Sequence, residues 1–351
     1  MSRIVIAVFS GTGNARRAAR IVSGELGKSG KGVELVDLAA GEAVPALGEG
    51  DLLVVCSSTL GFSPPSTVMD RIRSAPRSNG AYAAYISVCG ATGAKDRIMR
   101  GWSGAASMIA FSALSRKGFE PVGSADVSYP ENWTQVSQAA VGEARAAMLE
   151  SGDAEALGFA RSIAANDRVF VRRNLATRSL GRFIGLVFRL LARRMLGRLY
   201  IADDACTGCG LCAEACPSSA IAMKDGSPSW TADCSACNRC INACPAASIQ
   251  TSTARLAIFA VVNVAAIVAS APAARAVLGG LAPTLSGIGL RAAAFVLGVA
   301  LYAAFTALQI GPMDALVQAM ERSPRLRRFF TASFTKRFTR YLAPGFEPGA
   351  K

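Results

Sequence analysis

Short β-branched runs alternate with stretches of helical spacing through the first 160 residues. Ile4–Phe9, Val33–Leu38, Asp51–Cys56, Tyr82–Val88 and Phe119–Val127 are each long enough for one strand buried on both faces, and the first four end in loops rich in Gly, Ser or Pro. Helical stretches lie between them at Ala15–Leu26, Ser66–Ser74 and Asp96–Lys117, with a last one from about Thr134. This alternation predicts a doubly wound parallel sheet with its ligand at the carboxyl ends of the strands. Beyond residue 160 the rhythm changes. Residues 161–200 alternate arginine with apolar positions, and Phe183, Ile184, Val187, Leu190, Leu191, Met195 and Leu199 approximate a helical stripe. That pattern suits either a linker helix packed on the sheet domain or an interfacial helix lying in anionic headgroups. Ala292–Met313 runs for 22 residues without a charge, and at about 1.5 Å per residue it can cross a hydrocarbon core of roughly 30 Å. Leu256–Ala274 is a weaker partner, uncharged but interrupted by Asn263, Ser270 and Pro272. Together they predict a transmembrane hairpin; the alternative is two buried helices of a soluble domain.

Eight of the ten cysteines repeat one spacing. The first run is Cys206-x2-Cys209-x2-Cys212-x3-Cys216-Pro217, and the second is Cys234-x2-Cys237-x2-Cys240-x3-Cys244-Pro245. A four-iron cube needs four converging thiolates: the tight triplet supplies three, and a distant cysteine closes the fourth corner. In bacterial-type runs of this spacing the last cysteine ligates the other cluster. The expected sets are therefore Cys206, Cys209, Cys212 with Cys244, and Cys234, Cys237, Cys240 with Cys216. Structural zinc is the alternative, but it usually draws on two short pairs rather than triplets followed by Cys-Pro.

The chain has no histidine, which removes His-ligated haem, Rieske clusters and any Ser-His or Cys-His catalytic pair. The apolar start, Ile4–Phe9, is too short for a signal-peptide core and runs straight into a glycine loop, so no export signal is expected. Cluster motifs and two further cysteines, Cys56 and Cys89, fit a reducing cytosol. Both end predicted strands, where a small buried hydrophobe is the simpler role and a thiol beside a ligand the sharper one.

The first strand feeds into Ser10-Gly11-Thr12-Gly13-Asn14 and then a helix, an arrangement that turns backbone N–H groups and the helix dipole toward an anion. It is neither a P-loop nor a dinucleotide fingerprint, since no Gly-Lys-Ser/Thr follows and the third glycine is missing. The turn resembles the flavodoxin phosphate loop. Ser57-Ser58-Thr59-Leu60-Gly61-Phe62-Ser63-Pro64-Pro65 stands where the first isoalloxazine loop of that family would be, and Cys89-Gly90-Ala91-Thr92-Gly93-Ala94 is similar to the second. Tyr129-Pro130-Glu131-Asn132-Trp133 resembles a segment that flavodoxin–ferredoxin fusion proteins carry after the fifth strand. Over residues 3–250 the chain thus resembles that fusion family. The resemblance implies FMN, held by Ser10, Gly11, Thr12, Gly13 and Asn14, by Ser58, Thr59, Leu60, Gly61 and Phe62, by Cys89, Gly90 and Ala91, and by Asn132 and Trp133. Two positions depart from the pattern. Ala15 replaces a hydroxyl, costing about 1.5–3 kcal/mol if nothing compensates, with Arg16 or Arg17 as replacements; Leu60 lacks the stacking aromatic, leaving Phe62 or Trp133.

The expected organisation is a flavodoxin-like α/β domain (1–160), a basic amphipathic linker (161–200), a small α+β 2[4Fe-4S] ferredoxin-like domain (201–252), a transmembrane helical hairpin (253–315) and a basic cytoplasmic tail (316–351). The formal charge of +14 falls to about +8 once two clusters and a flavin phosphate, about −2 each, are counted. The remaining excess sits in ten arginines between Arg161 and Arg198 and in a basic tail from Arg322 to Arg340. Beside apolar segments this favours an anionic membrane surface over nucleic acid, and the positive-inside rule puts both ends of the hairpin in the cytosol. A soluble cytoplasmic protein is the alternative. The expected role is an electron-transfer iron–sulfur flavoprotein relaying between FMN and two [4Fe-4S] clusters, its partner a redox protein or a quinone. The alternative is a flavin-dependent reductase of a quinone or small organic acceptor. No nicotinamide site is recognisable, and a redox sensor would need an output module the chain does not show.

Overall fold

The computed structural model describes residues 2–281 and 287–348. Six strands, β1 (Ile4–Phe9), β2 (Val33–Asp37), β3 (Leu52–Ser58), β4 (Tyr82–Ala94), β5 (Arg97–Met99) and β6 (Glu120–Pro130), form the first sheet. Five run parallel in the order β2-β1-β3-β4-β6, and β5 pairs back, antiparallel, on the far end of β4. That parallel order is the flavodoxin-like doubly wound arrangement. The helices are α1 (Asn14–Gly27), α2 (Ser66–Ser74), α3 (Ala106–Arg116) and α4 (Gly142–Ala164). Side chains alternate across each strand: Val5, Ala7 and Phe9 pack with α2 and α3, while Ile4, Ile6 and Val8 pack with α1 and α4.

Two helix expectations shift. The helix expected over Asp96–Lys117 begins at Ala106, because Arg97–Met99 pairs with β4 and Gly101–Gly104 forms a loop. The helix expected from Thr134 begins at Gly142. Thr134 and Gln135 are instead fixed by distant partners: the Thr134 hydroxyl donates to Asn242 Oδ1 at 2.8 Å and Gln135 Nε2 to the Leu196 carbonyl at 2.6 Å.

After α4, helix α5 (Leu175–Val187) passes through a π-helical turn (Phe188–Ala192) into α6 (Arg193–Arg198). The apolar stripe divides: Ile184, Met195 and Leu199 face a pocket, while Phe183 and Leu190 are exposed. The cysteine block is a small α+β unit. Strand β7 (Tyr200–Ala202) precedes α7 (Leu211–Glu214), a hairpin of β8 (Ile221–Lys224) and β9 (Ser227–Trp230) follows, then α8 (Arg239–Ala243), and β10 (Ile249–Thr251) returns antiparallel to β7.

Two long apolar helices follow, α9 (Thr253–Leu281) and α10 (Gly287–Leu308); residues 282–286 of their connection lie outside the described residues. Both are long and apolar enough to cross a membrane. The first, which the sequence marks as the weaker partner, is the barer one: 6% of its most apolar stretch is buried, against 28% for the second. A second π-helical turn (Gln309–Met313), with Pro312 inside it, leads into α11 (Asp314–Glu321) and α12 (Pro324–Phe330). The basic C-terminal segment folds back instead of trailing away. Arg255 is buried between Asp314 and Glu321, the Ser252 hydroxyl donates to the Phe330 carbonyl, and Ala343 N–H reaches the Thr12 carbonyl at 2.8 Å.

Candidate functional site

The two cysteine runs interleave in space. Cys206, Cys209, Cys212 and Cys244 line one small recess. Cys216 keeps company with the second run instead: its electrostatic neighbour is Cys237, and Cys234 and Cys240 each feel Cys237 and Cys216. The folded chain therefore brings together the two sets that the spacing predicts. Among the described residues no three His, Cys, Asp or Glu side chains converge as a single-ion site; a four-iron cube holds its thiolates around a larger volume. Burial, followed by the neighbouring thiols, pushes Cys212 up to about 11 and Cys234 up to about 12. Iron must displace those protons to bind. The Ala236 and Ala220 amides point at Cys234 Sγ and Cys216 Sγ, each at 3.3 Å. Hydrogen bonds of this kind favour the more negative, reduced state of a cluster. Cys209 is exposed, Cys234 is buried and the other six are intermediate, so the sets differ at one corner each, the first (outward) set toward solvent and the second (inward) set away from it.

The second run lies directly on the glycine turn between β1 and α1. Arg239 donates to the carbonyls of Ser10 (2.6 Å), Gly11 (3.1 Å) and Ala215 (2.8 Å). A Cβ on Gly11 would come within 2.4 Å of the Cys237 carbonyl, so only glycine permits this approach. Gly13 has φ +104°, and the ring of Phe346 covers it. The turn's polar side chains are committed internally. Gly13 N–H donates to Ser10 Oγ, Asn132 Nδ2 to Thr12 Oγ1, Asn14 Nδ2 to the Pro130 carbonyl, and the Tyr341 hydroxyl to Asn14 Oδ1. Arg16 and Arg17 do not compensate for Ala15, since each is paired with a carboxylate, Asp37 and Asp153 respectively. In this conformation the turn is closed by the chain itself and does not fit a phosphate.

The ring end is different. A pocket of about 770 Å³ opens beside the carboxyl ends of β3 and β4, within the roughly 300–1,000 Å³ usual for ligand sites. Thr59, Leu60, Gly61, Phe62, Cys89, Gly90, Asn132 and Trp133 line it, whereas Ser10–Asn14, Ser58 and Ala91 do not. Trp102, which the sequence places inside a helix, also lines it, its ring 4.4 Å from that of Phe62. The signal was the pair of glycines flanking Trp102-Ser103, which a helix would not tolerate well. Arg173 stands 6.0 Å from the Trp102 ring and is tied to Asp126 and Ser103. Among the described residues Glu131 is the one acid on the wall, and burial raises its carboxyl, with a hydrogen bond to Ser137 opposing. Burial raises both remaining thiols. Cys89 lines the pocket, while Cys56 points away to the Ala15 carbonyl. The pocket fits a flat aromatic ring system such as isoalloxazine. Its opposite wall includes Ala236 and Asn238, both inside the second cysteine run.

Comparison with known proteins bears on the cysteine block first. Residues 205–249 match the family model of the 4Fe-4S dicluster domain. That span contains all eight motif cysteines, and this part of the chain is an iron–sulfur domain. No curated protein matches the chain. Among solved structures it is similar to a flavodoxin from the domain Archaea, at 12% identity, and to a short-chain flavodoxin associated with a non-canonical PDU bacterial microcompartment, at 16%. Each likeness covers 46% of this chain and 98% of the other, with a TM-score of 0.26. At that score the likenesses decide nothing, and the flavodoxin-like fold rests on the strand order.

Proposed function

We propose that this chain is a membrane-tethered electron-transfer protein of the flavodoxin–ferredoxin fusion kind, in which an FMN ring in the pocket and two [4Fe-4S] clusters exchange electrons. One observation supports this above the others: Ala236 and Asn238, between cluster ligands, line the same pocket as both isoalloxazine loops. A bound flavin supplies the exchange between electron pairs and the single electrons that clusters carry.

The chain's own residues supply position. Phe62, Trp102 and Trp133 flank the ring space. Burial raises the Glu131 carboxyl at the pocket wall. The neutral Cys89 thiol fills a corner without adding charge. Ala236 and Asn238, which lie between ligands of the inward set, border the ring space, and the outward set with exposed Cys209 gives a redox-protein partner its point of contact. Helices α9 and α10 tether the relay, with arginine-rich cytosolic flanks on either side.

The test is cofactor content of full-length protein purified without oxygen. Acid extraction should release a flavin, FMN being the form the resemblance implies, and iron should approach eight per chain. Stoichiometric zinc, or four irons, would contradict the paired clusters; a protein colourless after iron removal would contradict the flavin.

A further inference from the structure

The pocket does not stop at the flavin loops. Its far wall is made by Phe259, Ala260 and Asn263 of α9 and Tyr302 of α10. Asn263 lies ten residues beyond Thr253, the start of α9, or about 15 Å along the axis. The polar pair therefore stands within the apolar length of the hairpin, level with outward-facing Val264 and Val268, which are 60% and 70% exposed. There it forms a network. The Tyr302 hydroxyl donates to Asn263 Oδ1 at 2.9 Å, and Asn263 Nδ2 donates to the Phe259 carbonyl at 2.7 Å and to Gln309 Oε1 at 2.9 Å. Polar side chains at such depth are costly in lipid, and those that face a cavity mark ligand sites.

Three requirements define the ligand. The end of the pocket it occupies is walled by the apolar helices α9 and α10, so it is uncharged and largely apolar. It must offer hydrogen-bond acceptors to Tyr302. It must also profit from lying beside Ala236 and Asn238 of the second cysteine run. An acyl chain lacks acceptors, and a nicotinamide nucleotide carries phosphates for which the pocket wall offers no cation among the described residues. We propose that the helix-facing end of the pocket binds the ring of a lipid-soluble quinone, the Tyr302 hydroxyl turning from Asn263 to a ring carbonyl. This deepens, and rests on, the membrane-tethered electron-transfer reading.

Full-length protein in phosphatidylcholine nanodiscs should be titrated with ubiquinone-1 against empty nanodiscs, with tryptophan fluorescence as the readout, since Trp102 and Trp133 line the pocket. Saturable quenching at about one quinone per chain is expected. Tyr302→Phe should weaken it roughly three- to tenfold, the loss of one hydrogen bond, and Ala260→Phe should fill the space and abolish it. Quenching that never saturates, or an affinity unchanged in both variants, overturns the proposal. FMN and iron are assayed in the same samples. Cofactors present without saturable quenching sink the quinone site alone; quenching without cofactors sinks the electron-transfer reading and leaves the site standing.

Discussion

Arg239 is 7% exposed, and its hydrogen bonds go to main-chain carbonyls of Ser10, Gly11 and Ala215. A buried cation without a carboxylate costs several kcal/mol, so an anionic neighbour is called for. The adjoining Cys240, in the inward set, supplies one when a cluster is bound. A cation beside a cluster favours its more negative, reduced form. Arg239→Met should therefore lower the potential of the inward cluster in an EPR-monitored redox titration and leave the outward one unmoved; equal potentials in variant and wild type would refute the pairing. The thiols make a second prediction at this scale. Cys212 and Cys234 are raised to about 11 and about 12 in the iron-free chain, chiefly by burial. Both are protonated at neutral pH, so anaerobic reconstitution must release protons and should quicken as pH rises from 6 to 8.5. A rate independent of pH would contradict it.

Among the elements, the closed glycine turn matters most. Residues 341–346 act as a strap: the Tyr341 hydroxyl donates to Asn14 across 327 positions of sequence, and Phe346 covers Gly13. If the strap keeps a phosphate from the turn, Phe346→Ala should tighten FMN binding severalfold by equilibrium dialysis, and an unchanged affinity would show that it does not. The strap also explains what could be read from the chain and what could not. Strand runs such as Ile4–Phe9 are legible because burial on both faces demands a continuous apolar stretch, and α2 has the bounds its pattern predicts. The cysteine sets are legible because cluster geometry is written in their spacing. Contacts such as Tyr341 with Asn14, or Thr134 with Asn242, leave no local trace, so the fold-back and the late start of α4 were not. The ring pocket was half visible: its loops carry a pattern, while its walls from α5, α9 and α10 come only from packing.

At the scale of the whole molecule, the C-terminal third braces the domains before it and carries two helices long and apolar enough to cross a membrane. If α9 and α10 span a bilayer, the protein should stay in the membrane pellet through high salt and alkaline carbonate, because salt screens arginine–lipid attraction but leaves apolar burial intact. Release by salt alone would show the hairpin is not inserted. Replacing 264–301 with a short Gly/Ser linker should give a soluble, coloured protein, whereas cutting at Thr253 should not, since Arg255 (on the Arg198 carbonyl), Thr335, Tyr341 and Phe346 all brace the redox domains. The central claim is that ring pocket and clusters form one electron path through Ala236–Asn238. It is tested most directly by photoreducing the bound flavin with EDTA as electron donor in anaerobic full-length protein while recording EPR spectra. The account predicts that interacting S = ½ cluster signals grow in as the flavin absorbance bleaches. A flavin that bleaches fully while the clusters stay oxidised, yet yield those signals with dithionite, would contradict it.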